Sequence, residues 1–123
     1  MYLDTHVVVW LYQKDEDRFS ASALEMIETR NLSVSPIVLL ELEYLIETGR
    51  IKIKANDLFE YLQETIQIES CSKPFSSVVA KAIGVKWTRD PFDRLITSHA
   101  SIDDSELLTK DTTIHTYYQH AVW

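Results

Sequence analysis

Acidic side chains stand at four places in the sequence where a shared site could form. Asp4 follows the first predicted strand, and Asp111 comes just after a later one. Asp90 and Asp93 bracket the start of a predicted helix, and Glu41 lies within a helix whose neighbouring residues are mostly apolar. Because ligands of parallel α/β sheets bind at the carboxyl ends of the strands, these acids are candidates for one site.

Carboxylates gathered at one edge of a sheet repel one another unless a cation neutralises them. Mg²⁺ and Mn²⁺ prefer oxygen ligands, so either ion fits an all-carboxylate site. Such ions activate water and bind phosphate oxygens during phosphodiester hydrolysis. The histidines and the single cysteine show no spacing suited to zinc. The pattern therefore indicates a candidate magnesium or manganese site.

Each acid also has a structural interpretation. Asp4 and Asp111 can cap the helices that follow them by accepting hydrogen bonds from free backbone N–H groups. Asp90 is the strongest capping candidate, since Pro91 occupies the first helical position and another acid follows two residues later. Glu41 is harder to explain in this way. Burying a lone carboxylate costs several kcal/mol, so Glu41 needs a cation, a hydrogen-bond partner or a path to solvent.

Alternating strands and helices must position these acids. Strands are predicted at 1–4, 32–35, 66–69 and 107–109, with an edge strand at 121–123. Helices are predicted at 5–13 (with a longer strand as the alternative), 20–30, 36–48, 56–65, 75–85 and 91–101, with a short helical turn at 112–117. This alternation is typical of a three-layer α/β/α fold with a central, mainly parallel sheet of four to five strands. Since no linker or repeat interrupts the chain, we expect residues 1–123 to form a single domain.

The charge balance and the rare residue types exclude several classes of protein. Lys and Arg number 12 against 19 Asp and Glu, and the net charge of −7 argues against a broad basic face for nucleic acid. Bound cations could still bridge carboxylates to phosphates. Gly49 and Gly84 are the only glycines, which excludes glycine-rich phosphate loops. A lone cysteine, the absence of a long apolar run and the lack of a signal peptide predict a cytoplasmic protein without membrane attachment.

An ordered series of motifs resembles the PIN-domain ribonucleases, specifically the VapC-type toxins of bacterial toxin–antitoxin pairs. The motifs are Leu3-Asp4-Thr5-His6, Ser35-Pro36-Ile37-Val38-Leu39-Leu40-Glu41-Leu42, Gly49-Arg50-Ile51, Arg89-Asp90-Pro91-Phe92-Asp93-Arg94-Leu95-Ile96 and Leu107-Leu108-Thr109-Lys110-Asp111. The fourth motif is the most specific, and the series covers essentially the whole chain. The resemblance implies a PIN-like fold and an endoribonuclease that depends on Mg²⁺ or Mn²⁺.

The resemblance also implies a role for each acid. Asp4, Glu41, Asp93 and Asp111 match the acidic quartet that holds the metal and a water that attacks RNA phosphodiesters. Asp4 and Asp93 would be the nearest metal ligands. Glu41 and Asp111 would complete the site directly or through waters, and either carboxylate could orient the attacking water.

Several neighbouring residues are auxiliary candidates. Asp90 belongs to the motif, but we interpret it as a helix cap rather than a ligand. Thr109 is a candidate for a hydrogen bond to a carboxylate or a water, with an ordinary strand threonine as the equal alternative. Arg89 and Arg94 flank the motif and are candidate contacts to the RNA backbone, although surface ion pairs explain them more simply. His6 is notable because it follows Asp4 by two residues.

Two protein partners follow from the resemblance. One is an antitoxin that inserts a segment near the acids, often with a basic side chain. The other is a second copy of the chain, since the resemblance implies a homodimer. Trp10 and Leu11 on the early helices are the candidate contacts, because exposed aromatic and aliphatic patches mark interfaces.

Three alternatives remain open. A receiver-type signalling domain also binds Mg²⁺, but it needs an aspartate after its central strand, and the third predicted strand runs into Ile68-Glu69-Ser70-Cys71. A PIN-fold interaction module without nuclease activity would be expected to lack one of the four acids, and all four are present. The third alternative changes only the substrate, to single-stranded or flapped DNA.

Overall fold

The computed structural model describes residues 1–123, in which five strands alternate with seven α-helices. The strands are β1 (Tyr2–Leu3), β2 (Ser33–Val34), β3 (Glu69–Ser70), β4 (Leu107–Leu108) and β5 (Ala121–Val122). The helices are α1 (Thr5–Gln13), α2 (Ala21–Thr29), α3 (Ile37–Glu47), α4 (Ala55–Ile66), α5 (Phe75–Gly84), α6 (Pro91–Ser101) and α7 (Thr112–Tyr117), and a 3₁₀ turn at Glu16–Arg18 precedes α2. None of the helices combines the length and hydropathy that a membrane crossing requires.

All five strands run parallel in one sheet, in the order β3-β2-β1-β4-β5. Tyr2 pairs with Ser33 on one side and with Leu107 on the other, so β1 is the central strand. Both residues of β1 and both of β4 are buried, as expected for a sheet covered by helices on both faces. The predicted three-layer α/β/α fold is therefore confirmed. Receiver domains have the strand order 2-1-3-4-5, so this sheet excludes the receiver alternative.

The hydrophobic core encloses the central strands. Leu3, Leu107 and Leu108 have no exposed surface. The helices add fully or almost fully buried side chains, namely Val7, Val8, Val38, Leu42, Leu58, Leu62 and Ile96. Burial of each large aliphatic side chain contributes about 1.5–3 kcal/mol. This packing holds the carboxyl ends of β1 and β4 in place, immediately before Asp4 and Thr109.

Helix α3 is less buried than its sequence predicts. Val38 and Leu42 face the core, whereas Leu40 is 46% exposed and Tyr44 is 49% exposed. The helix packs against α1, α4 and α6, which cover only part of its circumference. Glu41 consequently lies at the boundary between core and solvent, where it is half-buried.

The third strand begins later than the sequence predicts. Ile66 is the last residue of α4, and Gln67 adopts a left-handed backbone with a φ of 57° that ends the helix. The strand therefore starts at Glu69. The prediction was wrong here because a glutamine rarely marks a left-handed position, so the apolar residues on either side look continuous. The end of α3 is as predicted, with Gly49 at a φ of 75° just beyond the helix.

A buried hydrogen bond joins the end of β2 to α6. Ser35 Oγ and His99 Nδ1 lie 2.7 Å apart, and both residues are buried. Burial lowers the pKa of His99, and the charge of Lys73 lowers it further. Ser35 lies two residues before the helix that carries Glu41, and His99 lies on the helix that carries Asp93. This contact therefore ties the two acid-bearing helices together.

We expect Ser35→Ala to lower the free energy of unfolding by about 1–3 kcal/mol, because His99 Nδ1 then loses its partner in a buried position. Ser101→Ala is the matched control, since that hydroxyl donates to the Ser98 carbonyl oxygen in a half-buried position. The control should cost at most about 0.5 kcal/mol. Urea unfolding measures both values, and equal losses would contradict the role assigned to the buried contact.

Candidate active site

Asp4 occupies the carboxyl end of the central strand and is only 6% exposed. Its Oδ1 accepts a hydrogen bond of 2.7 Å from the Thr5 backbone N–H at the start of α1. Its Oδ2 accepts a hydrogen bond of 2.6 Å from the Thr109 hydroxyl. His6 Nδ1 lies 3.4 Å from the same oxygen. The capping interpretation of Asp4 is confirmed, and its second oxygen makes contacts across the sheet.

Thr109 connects Asp4 to Asp111. Besides donating to Asp4, its hydroxyl oxygen accepts the backbone N–H of Asp111 at 3.0 Å. Asp111 caps α7, since its Oδ1 accepts the Ile114 N–H at 2.8 Å. The hydrogen bond expected between Thr109 and a carboxylate is therefore present, with Asp4 as its partner.

Glu41 reaches from α3 toward the start of α1. Its Oε2 accepts a hydrogen bond of 2.5 Å from the Thr5 hydroxyl. Burial raises the pKa of Glu41 to about 7, and the charges of Asp4, Asp90 and Asp93 add to this increase, while the Thr5 hydrogen bond opposes it. The sequence predicts that Glu41 needs a hydrogen-bond partner, a cation or a path to solvent, and its partner is the neutral hydroxyl group of Thr5.

Asp93 lies in the first turn of α6. Its Oδ2 accepts a hydrogen bond of 3.3 Å from the Thr88 hydroxyl. Asp90 caps the same helix, because its Oδ1 accepts the backbone N–H groups of Phe92 at 2.8 Å and Asp93 at 3.2 Å. Burial raises the pKa of Asp93 to about 6, with further contributions from the charges of Asp90 and Asp4. The capping interpretation of Asp90 is confirmed.

The fold brings the four predicted acids to one cleft of about 360 Å³ at the carboxyl edge of the sheet. Asp4, Glu41, Asp93 and Asp111 all line it. No Lys or Arg forms an ion pair with any of the four. The cleft therefore concentrates negative charge, and no Lys or Arg lies within ion-pair distance of its four acids.

The side chains that line the cleft are chemically suited to bind a hard divalent cation. The acids offer only oxygen ligands, and the raised pKa values of Glu41 and Asp93 reflect burial together with mutual repulsion among the acids. No three His, Cys, Asp or Glu side chains are close enough to hold an ion as they stand. Mg²⁺ commonly keeps several waters and takes only one or two carboxylates, so the cleft fits an ion bound partly through water.

His6 is the histidine that lines this cleft. Its Nε2 accepts the backbone N–H of Lys110 at 3.0 Å, which places the ring proton on Nδ1 beside Asp4. Burial lowers the pKa of His6, although the charges of Asp4 and Asp111 act in the opposite direction. The Nδ1 atom therefore lies beside Asp4 in surroundings where burial disfavours the charged form of the ring.

The two arginines of the helix motif do not line the cleft. Arg94 is half-buried, and its Nε donates a hydrogen bond of 2.7 Å to the Thr88 carbonyl oxygen. Arg89 is exposed and forms no ion pair. The arginine that does line the cleft is Arg50, which follows α3. Contact of Arg89 or Arg94 with RNA stays a prediction.

Sequence reasoning misses three residues of the cleft and its surroundings. The Thr5 and Thr88 hydroxyls donate hydrogen bonds to Glu41 and Asp93, and Arg50 lines the cleft. Thr5 carries a weak signal, since it is a hydroxyl residue at the end of a central strand. Arg50 belongs to the Gly49-Arg50-Ile51 motif, but the motif alone indicates no role for its side chain. Thr88 carries no signal, because its position depends on the path of the turn before α6.

Comparison with known proteins identifies the family. The sequence profile of the PIN domain matches residues 1–119. The chain belongs to the PIN domain family. Ribonuclease VapC22 of Mycobacterium tuberculosis (strain ATCC 25618 / H37Rv) is 31% identical to this PIN domain over 118 residues, which cover 94% of this chain and 89% of that protein. The resemblance to VapC-type PIN domains is confirmed.

A solved structure shares the fold of this PIN domain. It is a chain in the crystal structure of VapBC2 from Rickettsia felis bound to a DNA fragment from their promoter. The match has a TM-score of 0.67 and 18% sequence identity, and it covers 98% of this chain and 94% of that chain. The three-layer architecture of this chain therefore also occurs in a solved structure.

Removal of the charge on Glu41 should stabilise the PIN domain at alkaline pH. Its pKa is about 7 in the folded protein against an ordinary value of 4.5, so this group favours folding while it is protonated. That contribution is complete below about pH 4.5 and is lost as the pH rises through about 7. In EDTA at about pH 8, Glu41→Gln should raise Tm by about 3–5 °C, or about 1 kcal/mol after solvent screening.

The gain should disappear near pH 4, where both proteins are neutral at this position. Glu43→Gln is the control, since Glu43 is exposed on the same helix and its substitution should change Tm by at most about 1 °C. Scanning fluorimetry at the two pH values makes the comparison. A gain for Glu41→Gln that did not vary with pH would indicate altered packing instead of relieved charge repulsion.

Proposed function

We propose that residues 1–123 form a single catalytic domain that hydrolyses RNA phosphodiester bonds with Mg²⁺ or Mn²⁺, as the toxin of a toxin–antitoxin pair. The observation that carries this proposal is the meeting of four acids, free of basic ion-pair partners, in one cleft of a PIN fold. The similarity to a protein named as a ribonuclease supports RNA as the substrate.

Each acid has a proposed role. Asp4 and Asp93 would hold the metal, and Glu41 and Asp111 would complete the site directly or through waters. The chemistry supplied by a bound Mg²⁺ or Mn²⁺ is Lewis acidity toward the phosphate and the attacking water. Glu41, whose pKa is raised to about 7, is suited to orient that water and to accept its proton.

The surrounding residues position these groups. Thr109 fixes the Oδ2 atom of Asp4, and the Asp90 cap fixes the backbone of Asp93. Neither Asp90 nor Thr109 lines the cleft, so we assign both a positioning role. Such orientation matters because a reacting group must be held close to its target with little freedom.

Metal-dependent cleavage of a mixed RNA pool tests the proposal. The wild type should cut in Mg²⁺ or Mn²⁺ and not in EDTA. Asp93→Asn, purified in the same way, should lose at least about a hundredfold in rate, because a metal ligand is gone. Glu43→Gln, which alters an exposed acid outside the cleft, should cut like the wild type.

The result distinguishes the remaining alternatives. Equal cleavage by the wild type and Asp93→Asn would assign the activity to a contaminating nuclease. Cleavage of single-stranded or flapped DNA in preference to RNA would identify the DNA alternative. If nothing is cut and Mn²⁺ does not raise the Tm of the wild type, the interaction module becomes the better description.

An antitoxin is the proposed protein partner. The carboxylates of the cleft lack basic partners, and an arginine can satisfy a carboxylate with two parallel hydrogen bonds. A partner segment that inserts an arginine into the cleft would therefore bind tightly and exclude substrate from the same site.

A homodimer is the second proposed assembly, although α1 is a poor candidate for its interface. Trp10 packs against Phe19 and Trp123, with ring centroids 6.0 Å apart in each pair. Three exposed apolar side chains lie on α5, where Phe75, Val79 and Ile83 follow one another at four-residue spacing. Ridges at this spacing can interdigitate with a second copy of the same helix, so we place the interface on α5.

Ile83→Glu should convert the dimer into a monomer, because Ile83 is 64% exposed within the proposed contact and a charge there would be buried. Ile102→Glu is the control, since Ile102 is exposed outside α5 and its substitution should leave the dimer intact. Light scattering at micromolar concentration gives the mass. A monomeric wild type would refute the assembly itself.

A further inference from the structure

A short basic segment begins at the edge of the acidic cleft. Arg50, Lys52 and Lys54 are exposed and alternate with Ile51, which is buried, and Ile53, which is half-buried. We call residues 50–54 the basic loop. It holds three of the 12 cationic residues in a chain whose net charge is −7, so its local charge is opposite to that of the whole protein.

The start of the basic loop is fixed to the helix that carries Glu41. The backbone N–H groups of Arg50 and Ile51 donate to the carbonyl oxygen of Leu45 at 2.9 and 3.3 Å. Ile51 is part of the hydrophobic core. Arg50 therefore lines the cleft from an anchored backbone.

The charges of the basic loop are not used inside the protein. None of its three cations forms an ion pair. Four other cationic residues are engaged: Arg18 pairs with Asp15, Arg30 with Glu106 and Lys73 with Asp103, while Arg94 donates to the Thr88 carbonyl oxygen. Lys81, Lys86 and Arg89 also form no ion pair, but none of them lines the cleft. Arg50 thus places an unpaired positive charge at the cleft, and Lys52 and Lys54 add two more in the residues that follow.

A nucleic acid that approaches this cleft meets an electrostatic barrier. Its phosphates are repelled by the four acids and by the net charge of −7. Charges beyond a Debye length of about 8–10 Å are largely screened at physiological salt, so only nearby cations can offset this repulsion. Arg50 meets this requirement because it lines the cleft itself, and Lys52 and Lys54 follow it within four residues of the chain.

We propose that Arg50, Lys52 and Lys54 form a binding site for the sugar–phosphate backbone of single-stranded RNA, with Arg50 contacting a phosphate beside the bond to be cut. The proposal rests on the proposed function. The guanidinium of Arg50 matches a phosphate with two parallel hydrogen bonds, and the lysines act as point charges along the strand. Binding at this site is independent of base sequence, because phosphates carry no sequence information.

Fluorescence anisotropy with a labelled RNA of mixed sequence tests the site. All variants carry Asp93→Asn, so that binding is measured in Mg²⁺ without cleavage. Arg50→Gln should raise Kd about tenfold. Adding Lys52→Gln and Lys54→Gln to that variant should raise Kd about fivefold more. The slope of log Kd against log salt should fall by about 0.7 for each lost phosphate contact. Arg50→Lys should recover part of the affinity, since it keeps the charge.

Arg30→Gln is the matched control. It removes the same charge from the amino edge of the sheet, where Arg30 lies 3.5 Å from Glu106. Its Kd and salt slope should match those of the parent. Melting curves should be the same for Arg50→Gln and the parent, since the Arg50 side chain is exposed.

The outcomes separate this site from the proposed function. If the protein without Asp93→Asn cleaves RNA but Arg50→Gln binds like Arg30→Gln, the basic loop is not the phosphate site and the nuclease assignment stands. If RNA is never cut but Arg50→Gln still lowers affinity, the site stands and the nuclease assignment fails. If no variant binds RNA, or if polyglutamate binds in its place and depends on Arg50, the RNA site is overturned.

Discussion

The energetic cost of placing a carboxyl group inside a protein governs the architecture of this cleft. Asp4 is almost completely enclosed at the end of the central strand, where an unsatisfied carboxylate would cost several kcal/mol. The Thr5 N–H, the Thr109 hydroxyl and the Nδ1 atom of His6 surround its two oxygens. These donors come from α1 and from the residue after β4. The hydrogen bonds that Asp4 accepts therefore connect α1 to the central strands of the sheet.

The acids are held by hydroxyl groups instead of by cations. Asp4 accepts from Thr109, Glu41 from Thr5 and Asp93 from Thr88. A hydroxyl fixes the direction of a carboxylate but cancels none of its charge, whereas an arginine would do both. The cleft consequently keeps its negative potential and a defined geometry, which is the combination that a site for a hard cation requires. Burial raises the pKa values of Glu41 and Asp93, and repulsion from the neighbouring acids adds to the increase.

Much of this structure is predictable because its strongest signals are local. Pro91 after Asp90 marks the start of α6, and the apolar run after Asp4 gives a buried helix. The convergence of the acids follows from the rule that parallel strands place their carboxyl ends at one edge. No sequence feature marks the left-handed backbone of Gln67, so the sequence predicts a start for β3 that is too early. The Thr5 to Glu41 contact spans 36 residues and exists only once α1 and α3 have packed, so no pattern of spacing reveals it.

Helix capping divides the acids in and around the cleft into two groups. Asp4, Asp90 and Asp111 each begin a helix, and such a cap stabilises a fold by about 0.5–2 kcal/mol. Glu41 and Asp93 begin none, and the folded protein holds their charge against burial and repulsion. Selection for stability alone would therefore preserve the first group and discard the second. If selection on the activity of such a domain were relaxed, substitutions would accumulate first at Glu41 and Asp93. The capping acids would be retained, because they still stabilise the fold.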